Sequence, residues 1–373
     1  MPYIKWNLTK NCSLACKFCH NAMDRVGWAT DLDKPALERL LFHLRESEDV
    51  VGLTLLGGEP TEARFFFEVC EGLEGAGFPF GFVTAGHSLD EERYRSVITN
   101  PNLGFIGFSI DSLDASIVRS IRGHDILETQ LANLKWVMRL RESEGLSFDV
   151  FVNTVFMKKN ADEIPRMAEH FYERGVSKFQ ILKYSSRNLG ERNADALRPD
   201  CNAEVELVRR LAEQHEERLA IWDSRKYKVE YCFLSSLGHD YVREKFASSF
   251  PRGRGHVCPM RRDTLFLASN GGAYPCDSYR PFFGASPETS LDGVHRIQSL
   301  VDLPVEDIFN SDFHRKTRLV VGERSQFDNI LPCRECPHLL VDCVPCSVSS
   351  SDKSQTFVME RCAFYHDALQ GKD

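Results

Sequence analysis

The feature that most constrains this chain is the alternation, from Tyr3 to about Tyr184, of short apolar β-rich runs with longer amphipathic stretches. A strand cannot turn straight into a parallel neighbour; the chain must cross back over the sheet, and a helix is the usual crossover. Six strands are expected, at about Tyr3–Leu8, Val50–Leu56, Pro79–Thr84, Gly104–Ile110, Phe148–Met157 and Lys178–Lys183. Stretches with apolar residues at i, i+3 and i+4, such as Pro35–Leu44 and Leu127–Leu140, read as the helices between them, and Cys201 to about Leu219 as a final helix. The expectation is an α/β fold: a partial (β/α)6 barrel, TIM-like in architecture, whose chemistry sits just after each strand. The turn-rich, basic segment Pro251-Arg-Gly-Arg-Gly-His256 then introduces a stretch of different composition. The expected division is a core at 1–225, a linker at 226–257 and a small cysteine-rich domain at 258–373.

A length of 373 residues at 42% hydrophobic content is ample for a large core. The formal net charge of -8 carries no basic excess, which argues against nucleic acid or an anionic membrane as partner and leaves a peptide or small-molecule substrate. The N-terminus MPYIKWNLTKN has neither the basic start nor the apolar run of a signal peptide, and no stretch is long and apolar enough to span a bilayer, so a cytoplasmic location is expected. Thirteen cysteines without an export signal point to metal binding or redox use instead of a disulfide framework.

Directly after the first strand stands Asn11-Cys12-Ser-Leu-Ala-Cys16-Lys-Phe18-Cys19. Three thiolates hold three irons of a [4Fe–4S] cubane and leave the fourth iron open for an exchangeable ligand; alone, such a loop could be part of a zinc site or merely buried thiols. Its spacing, its place after strand one and the aromatic Phe18 resemble the radical S-adenosylmethionine (radical SAM) superfamily. The resemblance implies that the open iron chelates S-adenosylmethionine, which is cleaved reductively to a 5'-deoxyadenosyl radical.

The ends of the later strands carry matching segments. Leu56-Gly57-Gly58-Glu59-Pro60-Thr61 resembles that family's GGEP motif, with glycines that allow close backbone approach. Thr84-Ala85-Gly86 departs mildly from the Thr-Asn-Gly of many relatives. Phe108-Ser109-Ile110-Asp111-Ser112 resembles the family's S-x-D segment, whose Ser and Asp would face the cavity; the alternative is a helix cap by Asp111 or Ser112. Asn153, polar within Val-Phe-Val-Asn-Thr-Val-Phe, either points into the cavity or is satisfied locally. Arg122 resembles an arginine that some relatives aim at the cosubstrate carboxylate, with a solvated helix-end arginine as the equal alternative. The expected cosubstrate contacts are thus Phe18, Gly57, Gly58, Glu59, Pro60, Thr84, Ser109, Asp111 and Asn153.

The C-terminal cysteines run Cys258-x12-Gly271-x4-Cys276, then Cys333-x2-Cys336-x6-Cys343-x2-Cys346, then Cys362. This resembles the SPASM domain, from whose usual pattern it departs by one residue at Cys343. The resemblance implies two auxiliary [4Fe–4S] clusters, one on Cys258, Cys276 and Cys346 and one on Cys333, Cys336, Cys343 and Cys362, making three clusters with the catalytic one. The competing reading is a zinc ribbon made of Cys333, Cys336, Cys343 and Cys346, which would leave Cys258, Cys276 and Cys362 without a role. Cys70, Cys201 and Cys232 read as ordinary cysteines, and His20 and His256 flank ligand positions.

By resemblance to sulfatase-maturing and peptide-modifying enzymes, the expected activity is hydrogen abstraction from a residue of a peptide or protein. Electrons would come from a reductant such as flavodoxin or ferredoxin, and oxidation or crosslinking would result. Asp277, beside Cys276, is the expected catalytic base, against the alternative of a turn aspartate. Because the barrel begins at residue 3, no leader-peptide-binding domain is expected ahead of it. That keeps the alternative open: dehydrogenation, epimerisation or group transfer on a sugar or nucleotide.

Overall fold

The computed structural model describes residues 2–19, 31–48, 50–185, 189–232, 236–251, 264–274, 298–312 and 314–315. Nine strands form one sheet: β1 (Tyr3–Asn7), β2 (Gly52–Leu56), β3 (Phe80–Thr84), β4 (Leu103–Ser109), β5 (Asp149–Val155), β6 (Lys178–Leu182), β7 (Lys228–Tyr231), β8 (Thr264–Leu267) and β9 (Ala273–Tyr274). Their order is β7-β6-β5-β4-β3-β2-β1-β8-β9, parallel throughout except for the final β8–β9 hairpin. The six expected strands are therefore neighbours in chain order, which is what successive right-handed crossovers produce.

The crossovers are α1 (Lys34–Arg45), α2 (Phe66–Gly75), α3 (Glu91–Ile98), then α4 (Ala115–Arg122) with α5 (Leu127–Ser143), and α6 (Ile164–Glu173). Local chemistry sets their ends. Asp33 accepts from the Ala36 amide at 2.9 Å and Pro35 occupies the first turn of α1, while Asp114 caps α4 by accepting from Ser116 and Ile117. The α4 helix stops at Gly123, whose φ of 81° is left-handed. Beyond β6 come two short helices, α7 (Leu189–Arg192) and α8 (Ala194–Leu197), then the long α9 (Cys201–Ser224), α10 (Ser236–Lys245) and α11 (Val305–Phe309).

One face of the sheet is apolar and covered. Ile4, Trp6, Leu53, Leu55, Phe80, Phe82, Ile106, Phe108, Val150, Val152, Phe179 and Ile181 alternate along the strands and are buried together with Leu40, Val69, Val137 and Phe171 of the helices. Each such side chain contributes on the order of 1.5–3 kcal/mol, so this row is the main source of the fold's stability. The opposite face carries the polar residues of the same strands, from Lys5 and Asn7 to Ser109, Asn153 and Gln180.

Two segments differ from the sequence reading. Residues 226–257, expected as a linker, hold β7 paired to β6 and the helix α10. Strand β8, from the expected C-terminal domain, lies parallel against β1. Both strands have four residues, too few to display a period. Gly271 turns the β8–β9 hairpin with φ 81°, and a Cβ there would stand 2.7 Å from Val301 Cγ2, which accounts for glycine at that place in the cysteine pattern. Among the described residues no helix is long and apolar enough to cross a membrane.

Candidate active site

The cysteine loop leaves the C-terminal end of β1 and is tied to the ends of three other strands. From the β2 end, the Gly58 amide donates to the Thr9 carbonyl and the Glu59 amide to the Asn11 carbonyl, both at 2.8 Å. A Cβ on Gly57 would stand 2.5 Å from the Thr9 oxygen, and one on Gly58 2.1 Å from the Asn11 oxygen. The two glycines thus let the loop's own backbone lie against β2. From the β4 side, the Lys17 amide donates to the Ile121 carbonyl at 2.8 Å and the Ala15 amide to the Arg122 carbonyl at 3.2 Å. From the loops after β2 and β3, Glu62 accepts from the Ser13 amide and hydroxyl at 2.8 and 2.6 Å, and His87 Nε2 lies 2.8 Å from the Ser13 hydroxyl and 3.1 Å from Glu62.

Cys16 is buried, Cys12 and Cys19 are half-buried, and no disulfide joins them to another described cysteine. Burial pushes the Cys16 thiol up to about 11, opposed by the adjacent Arg122 guanidinium. Cys12 and Cys19 are close enough to act on it electrostatically. Among the described residues no three His, Cys, Asp or Glu side chains form a group that could hold a single metal ion. Three thiols on one loop fit three separate corners of a cubane, and the loop's backbone anchors on both flanks would hold them there.

Arg122 is buried, so the solvated alternative does not hold. Its Nε and Nη2 donate to Asp111 Oδ2 at 2.9 and 2.5 Å, Nη2 also reaches the Ser109 carbonyl at 2.9 Å, Nη1 lies 3.9 Å from Cys16 Sγ, and the guanidinium stands 5.6 Å over the Phe18 ring. Asp111 spends its other oxygen on the Val155 amide at 2.8 Å, so it braces the ends of β4 and β5 instead of projecting freely into the cavity. Capping of α4 falls to Asp114, not to Asp111 or Ser112.

Glu59 is also turned inward. Its carboxylate accepts from the Thr61 and Thr84 hydroxyls at 2.6 and 2.7 Å and from the Ala85 amide at 2.7 Å, joining the ends of β2 and β3. The Thr84 hydroxyl accepts in turn from the Gly86 amide at 2.8 Å. Both side chains brace the motif, and the surface left to a ligand is backbone. Asn153 takes the other course. Its Oδ1 is buried with no hydrogen-bond partner among the described residues, on the face opposite the buried apolar row, where β5 sets it beside Ser109 of β4.

Several contributors escaped the sequence reading. Glu62, His87 and Ser13 meet from three separate loops. Gln130 of α5 is fully buried and donates to the Ala85 and Ser109 carbonyls at 2.6 and 2.9 Å, while Asn160 donates to the Asp111 and Val155 carbonyls at 2.7 and 2.8 Å. For Gln130 the available signal was an amide side chain at a position of α5 whose helical period is apolar; Asn160, in the turn before α6, carried none. Asp277, Cys258, Cys276, Cys333, Cys336, Cys343, Cys346, Cys362, His20 and His256 lie outside the described residues.

Comparison with known proteins gives a consistent picture. The Radical SAM superfamily matches residues 6–171, and an iron–sulfur cluster-binding domain, SPASM, matches residues 258–337. The chain is 24% identical over 273 residues to a PqqA peptide cyclase of Ruegeria pomeroyi, covering 72% of this chain and 66% of that protein. A second PqqA peptide cyclase, from Methylocella silvestris, is 27% identical over 208 residues, 54% of either chain. This chain therefore spans between half and two thirds of these relatives' length. It is also 22% identical over 318 residues to a GTP 3',8-cyclase of Helicobacter pylori, covering 83% of this chain and 92% of that one. In fold it resembles Streptococcus suis SuiB bound to S-adenosylmethionine, with a TM-score of 0.65, 16% identity and coverage of 95% of this chain and 75% of that one.

Proposed function

Since this chain belongs to the radical SAM superfamily and carries a SPASM domain, we propose that it is a maturase, abstracting a hydrogen atom from a residue of a peptide or protein and so oxidising or crosslinking it. The observation that carries the reading is the anchoring of Cys12, Cys16 and Cys19 over the strand ends, by the Gly58 and Glu59 amides on one flank and Arg122 on the other. When bound there, a [4Fe–4S] cluster with S-adenosylmethionine supplies a 5'-deoxyadenosyl radical.

The protein's share is to hold and to orient. Gly57, Gly58 and Pro60 offer a backbone edge stiffened from behind by Glu59 and Thr84. Ser109 and Asn153 present side chains to the cosubstrate, Asp111 fixes Arg122, and Phe18 closes the loop against that guanidinium. In the region 258–373 we assign Cys258, Cys276 and Cys346 to one auxiliary cluster and Cys333, Cys336, Cys343 and Cys362 to another, with Asp277 as the base that takes the proton from the substrate radical. We assign the protein to the cytoplasm, with a flavodoxin or ferredoxin as electron donor. The PqqA peptide cyclases favour a peptide substrate; the GTP 3',8-cyclase match, which spans more of both chains, keeps a nucleotide as the second reading.

The test is anaerobic reconstitution followed by iron, zinc and 5'-deoxyadenosine measurement. The expected result is roughly 12 irons per chain, with Cys12, Cys16 and Cys19 to Ala abolishing 5'-deoxyadenosine while leaving about two-thirds of the iron. Cosubstrate cleavage by that triple variant overturns the site, and about 4 irons with one tightly held zinc overturns the auxiliary clusters.

A further inference from the structure

On the face opposite the buried apolar row, one level of the sheet is polar across four consecutive strands. Register pairs Ser109 of β4 with Asn153 of β5, Asn153 with Gln180 of β6, and Gln180 with Glu230 of β7. At the ordinary inter-strand spacing of about 4.8 Å the row runs about 14 Å; Ser109 and Asn153 form its cosubstrate end, and Gln180 and Glu230, at one and two strands from Asn153, lie beyond the residues assigned to the cosubstrate. The neighbours in sequence, Phe179, Ile181, Val229 and Tyr231, are buried on the helix-covered side, so the alternation of the strand places Gln180 and Glu230 on the opposite face.

The pattern of used and unused polar atoms along this row is specific. Gln180 Nε2 donates to Glu230 Oε2 at 2.5 Å, and the Lys178 ammonium lies 3.7 Å from the same oxygen. Both contacts fall on Oε2, so Oε1 has no partner among the described residues. Lys178 rises from the level below, where it stands 4.6 Å over the Phe151 ring and that ring packs on Phe105 at 5.4 Å. Asn153, at the cosubstrate end, has a buried Oδ1 with no hydrogen-bond partner among the described residues. The result is a polar shelf over an aromatic floor, with an acceptor unpartnered among the described residues at either end.

We propose that this shelf, from Asn153 to Glu230, binds the backbone of an extended substrate peptide; the inference rests on the peptide reading above. An extended chain repeats every ~3.3 Å, so about three residues fit along the shelf, with an amide N–H facing Glu230 Oε1 at the far end and the near end meeting the cosubstrate at Asn153. A nucleoside triphosphate fits the same place poorly. The row has one formal negative charge and no positive one; the Lys178 ammonium on the same face is taken up by Glu230 and the Phe151 face, and the Arg122 guanidinium at the Ser109 carbonyl is paired with Asp111. Recognition at this level is therefore of the main chain, and its Glu230 end lies two strands from Asn153, where the cosubstrate residues stop.

The experiment uses anaerobically reconstituted enzyme with S-adenosylmethionine, dialysed against a pool of N-acetylated, C-amidated hexapeptides of mixed sequence, with GTP as a second probe and mass spectrometry as readout. The wild type is expected to retain a subset of hexapeptides, and Glu230→Met to bind them about tenfold more weakly whatever their side chains, with retention of S-adenosylmethionine unchanged. Replacing each amide N–H of a retained peptide by N-methyl in turn is expected to lose binding at one or two positions only. Hexapeptides held equally by wild type and Glu230→Met overturn the shelf and leave the peptide reading standing. No hexapeptide held by the wild type, with or without retention of GTP, overturns both. Should Glu230→Met also release S-adenosylmethionine, Glu230→Gln, which keeps the shape and loses the charge, carries the comparison: a loss of about threefold supports the shelf and none overturns it.

Discussion

Replacing Arg122 by Met removes the cation from a buried ion pair and leaves its partner in place. Asp111, 1% exposed, would lose both guanidinium hydrogen bonds and keep only the Val155 amide, and the Ser109 carbonyl would lose a donor. Breaking a buried pair from one side costs about 3–5 kcal/mol, because the remaining charge is stranded in a low-dielectric interior. With a urea m-value of ~3 kcal/mol/M, that moves the unfolding midpoint down by about 1–1.7 M. The control is Arg122→Met combined with Asp111→Asn. The Asn side-chain oxygen can still accept from Val155 while carrying no charge, so the double variant should regain about half of the loss, and the two substitutions should be strongly non-additive. Urea titrations of the two single variants, the double and the wild type measure this directly. An Arg122→Met midpoint within about 0.5 kcal/mol of wild type, or strict additivity in the cycle, refutes the view that this pair holds the cysteine loop to β4.

Gly58→Ala should fold but fail to load the catalytic cluster, because its Cβ would meet the Asn11 carbonyl oxygen at 2.1 Å and that oxygen belongs to backbone; iron content should fall by about a third, and full loading would refute the close approach. Asp277→Asn should still form 5'-deoxyadenosine while turning over its substrate about a hundredfold more slowly, and near-normal product would leave the base elsewhere. Three histidines have depressed pKa values: His170 is pushed down to about 4 by burial and by Arg174 and Arg166, and His215 and His239 are lowered chiefly by burial. Below about pH 6.5 the unfolded chain binds more protons than the folded one, so their contribution is present above that pH and lost as pH falls towards the folded values. Unfolding free energies measured from pH 7 to 5 should therefore drop more steeply in the wild type than in His215→Phe, and parallel profiles would remove His215 from this account.

The six strands and their order could be read from the sequence because parallel strands covered on one face by helices repeat one pattern: a short β-rich run, then an amphipathic stretch. The cysteine loop was equally plain, since ligands to one cluster must be close in the chain when one loop supplies them. What spacing could not show is the direction of a side chain at a strand end. Glu59 and Asp111 both sit in segments that look ligand-facing, yet the structure spends their carboxylates on Thr84 and Ala85 in one case and on Arg122 and Val155 in the other. A carboxylate in so dry a place stays only if donors surround it, and apart from Thr61 those donors come from positions 11 to 44 residues away in the chain, so the local motif does not hold the information. The same reasoning applies to β7 and to the polar shelf it completes. Glu230 is one acidic residue in a four-residue run, and it gains meaning only when register places it beside Gln180, Asn153 and Ser109. The trace that does survive in a single sequence is a polar side chain where the periodicity demands an apolar one. Asn153, Gln130 and Asn133 fit that description. Gln130 and Asn133 donate to backbone carbonyls at and just beyond strand ends, and Asn153, on its strand, faces the side on which substrate and cosubstrate must meet.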